Sequence, residues 1–549
     1  MKIEIQKASN TYADTLHAVG MASLLSELTG KQARICEHGA SFTVSCDDGI
    51  QPENWLPPSP GFLFVWRRSK DGARPLGETL DYEQQKQIAE TLKKSKATKG
   101  AKRSVAQAVQ VESNQILVEL HPEYRMCATM QSVKGTWNSD RTLFRWLTDE
   151  PKKALELAKS HLLKSKSKSG IKFANGQLLN PCSGKGTHAS KSVASGPREI
   201  AHVLTEPFVE WMKLRGLYRA LLAYRVNDGI KCFVIEPGEI SEEHVAILRS
   251  ELRALELWGN ITLDIQSVLR LTAILVEHSK ANNGEIDLYN DSPDRVIRGF
   301  RQSYFKSFGK VVALMNDSFL PVPDWFPVKT ENDVQAYLQI VREPFGDRIN
   351  VRSGPMSTLR EDRSDDIPIL QSYRRWLTSG LVKDFLEMHC QFAVHLMQQY
   401  GANEFAKPFS VEILDLLLQR LRRNSNVKDI VTRDGFRNLA RAIRNTTIYA
   451  VSMSSSKREV RFGLAQKWKQ QIKAGDAHFV ATLSEFVQSQ NWEVEHKLAG
   501  KAYVVTENDL NDVVELIETH GAELVGMLLL AYGFARAEST QPKTIEQTS

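Results

Sequence analysis

No run of eighteen apolar residues occurs in this 549-residue chain, and its most apolar stretch, Leu524 to Ala535, is too short to span a bilayer and reads as a buried helix. Six cysteines, at 36, 46, 127, 182, 232 and 390, include no CxxC pair. That excludes a zinc ribbon and leaves reduced, partly buried thiols as the expectation. The thirteen histidines include no HExxH, and His389 and His395 stand six apart, on different faces of a helix, so neither a metal nor another cofactor is expected. No Ser-His-Asp or Cys-His signature is present, and there is no internal repeat. The opening MKIEIQKASNTYAD is polar and lacks the apolar block of a signal peptide, which makes the cytoplasm the expected compartment.

Hydrophobic residues make up 42% and charged residues 25%, values of a folded globular chain, and the length suggests about three domains. To about residue 80, Leu16, Val19, Met21, Leu24, Leu25 and Leu28 recur at helical spacing, and FTVSC and FLFVW read as strands around the turn-rich NWLPPSPG. Lys93, Lys94, Lys96, Lys99, Lys102 and Arg103 form an acid-free basic run, and SHLLKSKSKSGIK at 160 to 172 is similar. EPFVEWMKLRGLYRALLAYRV is an amphipathic helix passing into a strand around CFVIEP. Helices are expected near 241–256 and 297–308, and residues 317–368 are broken by Pro, Asp and Arg. From Pro368 to residue 536 the pattern is almost wholly helical. The expected fold is α+β: a mixed α/β N-terminal and central part, divided as 1–200 and 201–367, followed by a helical bundle over 368–549.

The feature that carries most chemistry is DGFRNLARAIRNTTIYA, residues 434–450. With Arg433 before it, Arg437, Arg441 and Arg444 follow at intervals of four, four and three, which a 3.6-residue helix collects on one face. Phe436, Leu439, Ala440 and Ile443 fall on the other. A row of permanently charged planar forks suits a phosphate backbone. Glu412 to Lys473 holds fourteen Lys and Arg against five acids, whereas Asp476 to Ser549 holds twelve acids against four bases, so a strong charge asymmetry divides the last quarter of the chain. The competing explanation is a solvated helix face with no partner.

Two further segments are weaker candidates. NPCSGKGTHASKSVASGP falls short of a nucleotide-binding loop because Leu179 and Gly186 replace the required Gly and Ser or Thr, yet its amides, hydroxyls and Lys185, Thr187 and Lys191 suit a sugar-phosphate backbone. QSVKGTWNSDRTLFRW sets Lys134, Trp137, Asn138 and Arg141 around a glycine turn, types that read base edges or wedge against a base, or that simply build the turn. Asp365 and Asp366 are expected to be solvated in a linker rather than catalytic. The chain reads as a binder, not an enzyme.

Several of these pieces together resemble the large subunit of type I CRISPR Cascade effectors, the myxobacterial and cyanobacterial variants in particular. TYADTLHAVGMASLLSEL is similar to that family's N-terminal helix, and NPCSGKGTHASKS with EPFVEWMKLRG to its central loop and helix. FRNLARAIRNTTIYA, REVRFGLAQKW and FVATLSEFVQSQNWE follow the order of its C-terminal helices. The resemblance implies a non-catalytic subunit that works with guide-RNA ribonucleoprotein subunits. Its N-terminal part would recognise the protospacer-adjacent motif on double-stranded target DNA, and its small-subunit-like bundle would hold the displaced strand. Carried over, Arg433, Arg437, Arg441, Arg444 and Arg461 would hold phosphates, and Lys134, Asn138, Lys185, Thr187 and Lys191 would lie at the duplex. The acidic segment after 497 departs from the pattern and suggests a protein partner, a helicase-nuclease or a transposition adaptor; no membrane is involved. The alternatives are a nucleic-acid-processing enzyme with a dispersed carboxylate site and a helical scaffold for an acidic protein.

Overall fold

The computed structural model describes residues 1–47, 49–75, 77–97, 110–111, 115–116, 119–131, 136–164, 176–182, 206–308, 311–347, 353–421, 425–452, 460–497 and 503–537. The fold is α+β, and its two compact units interleave in sequence: Met1–Ala254 with Asp294–Leu320, and Leu255–Pro293 with Pro321–Ser549. Neither expected border, 200/201 or 367/368, coincides with this division. Strand pairing is the reason, because residues 297–308 return to the sheet begun before residue 240. Among the described residues no helix is long and apolar enough to cross a membrane.

In the first unit, β1 (Lys2–Gln6), β2 (Arg34–Glu37), β3 (Ser41–Ser45) and the later β10 (Glu239–Ser241) form an antiparallel sheet of order β1-β3-β2-β10. β4 (Phe64–Trp66) and β5 (Thr79–Asp81) pair in parallel, and β6 (Gln110–Val111) pairs with β7 (Gln115–Ile116). The second large sheet runs β12-β11-β9-β8, from β8 (Leu221–Val226), β9 (Gly229–Pro237), β11 (Ile297–Phe308) and β12 (Val311–Pro321). All nine residues of β9 are buried, as expected of a strand covered on both faces.

Helix α1 (Tyr12–Thr29) starts where the Thr11 side chain accepts from the Ala13 amide and ends at Gly30, whose φ of 66° returns its N–H to the Ser26 carbonyl. It is buried on nearly every side. The remaining helices of this unit are α2 (Tyr82–Ala97), α3 (Tyr124–Met130), α4 (Thr136–Asp149), α5 (Pro151–Leu162), α6 (Pro207–Ala220) and α7 (Glu242–Ala254). α1 packs on α6 at two glycines. A Cβ on Gly20 would stand 1.8 Å from the Met212 carbonyl oxygen, and one on Gly216 would stand 2.0 Å from that of Leu16, so only glycine permits this crossing.

The second unit contains α8 (Ile261–Glu277), α9 (Glu331–Arg342), α10 (Ile367–Ser379), α11 (Val382–Gly401), α12 (Val411–Leu418), α13 (Ser425–Thr432), α14 (Asp434–Thr446), α15 (Leu464–Ala474), α16 (Asp476–His496), α17 (Glu507–His520) and α18 (Ala522–Gly533). α18 is the apolar stretch singled out in the sequence. It is buried as expected and packs against α11, α14, α15, α16 and α17. Trp468 of α15 meets Phe479 and Phe486 of α16 edge-on at 5.5 and 5.3 Å.

Three expectations need correction. Residues 297–308 form strand β11, not a helix: Phe300, Tyr304 and Phe305 favour a pleated surface, and the segment pairs residue by residue with β9, Phe300 opposite Ile235 and Lys306 opposite Gly229. The broken segment 317–368 contains helix α9, started by a capping box in which Thr330 and Asp333 satisfy each other's backbone amides. Asp366 is not solvated. It is 1% exposed, accepts from the Arg360 amide at 2.8 Å and lies 2.9 Å from Nδ1 of His395.

Candidate nucleic-acid interface

The apolar side of α14 is as the spacing predicts, with Phe436, Leu439, Ala440 and Ile443 fully buried. The arginines do not form one open ridge. Arg433 Nε and Nη2 lie 2.9 Å from Asp512 and 2.9 Å from Glu515. Arg437 forms a two-pronged pair with Asp415, at 2.9 and 2.6 Å, donates Nε to the Val431 carbonyl, and stands 5.0 Å from the ring of Tyr532. Arg444 is buried and donates Nη1 to the Tyr532 carbonyl at 2.7 Å; burial, the main influence, lowers its pKa. Arg441 alone of the four is exposed without an ion pair among the described residues, with its guanidinium 5.7 Å from the Tyr503 ring.

The neutralising acids come largely from α17. Gly435 lets it approach, since a Cβ there would fall 2.6 Å from the Asp509 carbonyl oxygen. Asp512 then accepts from the Gly435 amide at 3.0 Å, placing a carboxylate at the positive end of α14. Asp509 accepts from Asn438 and from the Tyr503 hydroxyl, both at 2.8 Å. The basic and acidic blocks of the sequence thus fold against each other, and their charges cancel in part between neighbouring helices.

Arg461 is also engaged: Nη2 donates to Ser489 at 3.0 Å and lies 3.7 Å from Glu493, and the guanidinium is 4.9 Å from the Phe486 ring. Uncompensated cations sit instead on α15, which has three lysines and no acid. Lys467 pairs with Glu485 at 3.0 Å, but Lys469 and Lys473, one turn apart, make no ion pair among the described residues. Two exposed aromatics belong to the same helical pair. Phe462, 47% exposed, precedes α15, and Trp492, 55% exposed, lies on α16, stacked on His496 at 4.8 Å. Exposed aromatics and cations without ion pairs on one helical pair are the residue types that suit a single strand, with bases stacking and phosphates paired. The acid-free composition of LAQKWKQQIKA was a readable signal for this surface.

In the first unit, Lys134, Lys185, Thr187 and Lys191 lie outside the described residues, as do Lys99, Lys102 and Arg103. Asn138 is on α4, and Arg141, one turn on, places Nη1 3.5 Å from Asp71. The described residues on either side of the segment 183–205, which contains Lys185 and Lys191 and lies outside the described residues, are both tied to α6. At one end Asn180 donates to both oxygens of buried Glu210, at 3.1 and 3.0 Å, and accepts from Lys213 at 2.6 Å. At the other Glu206 accepts from the Phe208 and Val209 amides and lies 3.0 Å from His161 Nε2. This network of Glu210, Lys213 and Asn180 is enclosed and hydrogen-bonded. Among the described residues no three His, Cys, Asp or Glu side chains converge on a metal position.

No protein-family model matches the chain, and no curated protein matches it.

Proposed function

We propose that this protein is the non-catalytic large subunit of an RNA-guided CRISPR surveillance complex acting in the cytoplasm. Its first unit recognises the protospacer-adjacent motif on duplex DNA. The bundle of its second unit holds the displaced strand, and the complex recruits a helicase-nuclease or a transposition adaptor. The observation that supports this reading best is the fate of the three C-terminal pieces behind the resemblance. FRNLARAIRN, RFGLAQKW and FVATLSEFVQSQNWE fold as α14, α15 and α16 of one bundle around α18, and Lys469, Lys473 and Arg441 remain available on it.

The test is reconstitution with guide RNA and its ribonucleoprotein subunits, reading R-loop formation on a matched duplex with and without this chain. Loss of R-loops on omission, restored by adding the chain, is expected. R-loops that form equally well without it refute the assignment.

A further inference from the structure

A second cationic centre lies in the first unit, around the segment RRSKDGARP at residues 67–75. Asp71, its side chain wholly buried, is the organiser: it lies 3.5 Å from Arg141 Nη1, and Oδ2 accepts from the Arg67 amide at 2.8 Å. Arg145 of α4 donates to the Asp71 and Ala73 carbonyls at 2.5 and 3.1 Å. These contacts fix the loop against α4 and bring Arg67, Arg68, Lys70, Arg74, Arg141 and Arg145 together. The acids nearby are Asp71, Glu78, Asp81 and Glu83, so cations are in excess.

Two of these arginines are placed differently from the rest. Arg68 donates Nε and Nη2 to Asp81 at 3.0 and 2.8 Å, and Arg74 donates Nε to the Thr79 hydroxyl at 2.6 Å and Nη2 to the Thr79 carbonyl at 3.0 Å. Thr79 and Asp81 are alternate residues of β5, on one face and about 6.7 Å apart. Trp66 stands opposite Asp81 in the pairing of β4 with β5, its indole held by a 3.0 Å bond to the Gly72 carbonyl. The guanidiniums of Arg68 and Arg74 are 6.0 and 5.8 Å from that ring. Both side chains are exposed, and in each Nη1 makes no hydrogen bond among the described residues.

We propose that Arg68 and Arg74, held at Trp66 by neighbouring positions of one strand, form a binding site for the phosphodiester backbone of nucleic acid, each guanidinium taking one of two successive phosphates. The inference rests on the nucleic-acid reading above and adds a site that the sequence did not single out. A guanidinium fork anchored on one edge by Thr79 or Asp81 loses little freedom on meeting a phosphate. The surplus of arginine over carboxylate leaves the cluster short of counter-charge, which an incoming phosphate supplies.

The experiment is fluorescence anisotropy of the full-length protein with a labelled mixed-sequence duplex and with the corresponding single strand, over a series of salt concentrations. Arg68→Gln with Arg74→Gln is expected to weaken backbone binding about tenfold or more, the size of two lost charge-assisted bonds. The log–log salt slope for duplex should become shallower by about 1.8. Loss on the duplex arm alone assigns the site to double-stranded nucleic acid, and loss on both arms assigns it to either form. Arg74→Gln alone, which gives up bonds only to Thr79, keeps the test open if the double variant fails to fold, and should lose about threefold or more. Arg74→Lys, keeping charge without the fork, should fall between Arg74→Gln and the parent. Unchanged affinity and slope in the folded double variant overturn this site while leaving the proposed function standing, whereas a parent that binds neither probe overturns both.

Discussion

Asp415 and Arg437, 22 residues apart in sequence, are joined by two parallel bonds of 2.9 and 2.6 Å, and the Tyr532 hydroxyl donates to the same carboxylate at 2.7 Å. One arginine of the ridge is therefore a clamp between α12, α14 and α18 rather than an open phosphate ligand. Both partners are under a third exposed, so the pair is neither a screened surface contact nor a fully desolvated one.

Removing the carboxylate should therefore cost stability, while removing the exposed arginine should not. Asp415→Ala is expected to lower unfolding free energy by about 1–3 kcal/mol, because Arg437 keeps its half-buried position without its partner. Arg441→Ala is expected to stay within about 0.5 kcal/mol of the parent. Urea denaturation followed by tryptophan fluorescence compares them. Equal midpoints for the two variants would show that the clamp contributes nothing.

The crossing of α1 and α6 makes a sharper claim on the first unit. Gly20→Ala drives a methyl to within 1.8 Å of the Met212 carbonyl oxygen, and Gly216→Ala does the same against Leu16 at 2.0 Å. Backbone has to move, at a cost of about 3 kcal/mol or more for either change. Thermal melts should show a lowered transition for each, whereas Gly39→Ala, strained only by its own φ and touching nothing within 4 Å, should cost far less.

His389 links the second unit to pH. It is 4% exposed, sits edge-on between Phe385 and Phe409 at 4.4 and 4.6 Å, and burial pushes its pKa down to about 3. The folded state thus holds this ring neutral through a range in which the unfolded chain protonates it. Stability from this group is fully present above the unfolded pKa of about 6.5 and is lost as pH falls toward 3, by up to about 1.4 kcal/mol per unit. His389→Leu should flatten that limb relative to the parent in denaturation midpoints taken from pH 7 to 4. Parallel limbs would mean the ring is not kept neutral.

Much of this architecture could be read from residue order because it depends on local periodicity. α1 and the passage from α6 into β8 carry apolar residues at helical spacing, and buried α18 is a continuous apolar stretch. What could not be read depends on partners far along the chain. The four-four-three spacing does put Arg433, Arg437, Arg441 and Arg444 on a common stripe, but spacing says nothing of Asp415 before it or Asp512 and Glu515 long after it. Likewise β11 looks helical until β9 offers it a ladder, and Asp366 looks like a linker residue until His395 closes on it from α11. The α15 lysines were visible all along as a helix without acids, overshadowed by the denser arginines.

Salt dependence separates the ridge as sequence implies it from the surface as folded. Five arginine–phosphate contacts would give a log–log slope of about −3.5 for a single strand, at roughly 0.7 per contact, whereas Arg441, Lys469 and Lys473 alone give about −2. In an Arg68→Gln, Arg74→Gln background, which removes the two contacts proposed in the first unit, the smaller magnitude is expected on an unstructured single strand. Lys469→Glu with Lys473→Glu should reduce it further, and an unchanged slope would exclude α15 from the contact.

The most direct measurement is the chemical reactivity of unpaired thymines in the displaced strand, read by permanganate footprinting of R-loops formed by the guide-RNA complex reconstituted with this chain. With the parent chain, the displaced strand should be open along the guide-paired stretch and protected over a short segment. With Lys469→Glu and Lys473→Glu, protection should disappear and R-loops should become fewer whatever the target sequence. R-loops equal in number and identical in footprint for parent and variant would contradict the claim that this bundle holds the displaced strand.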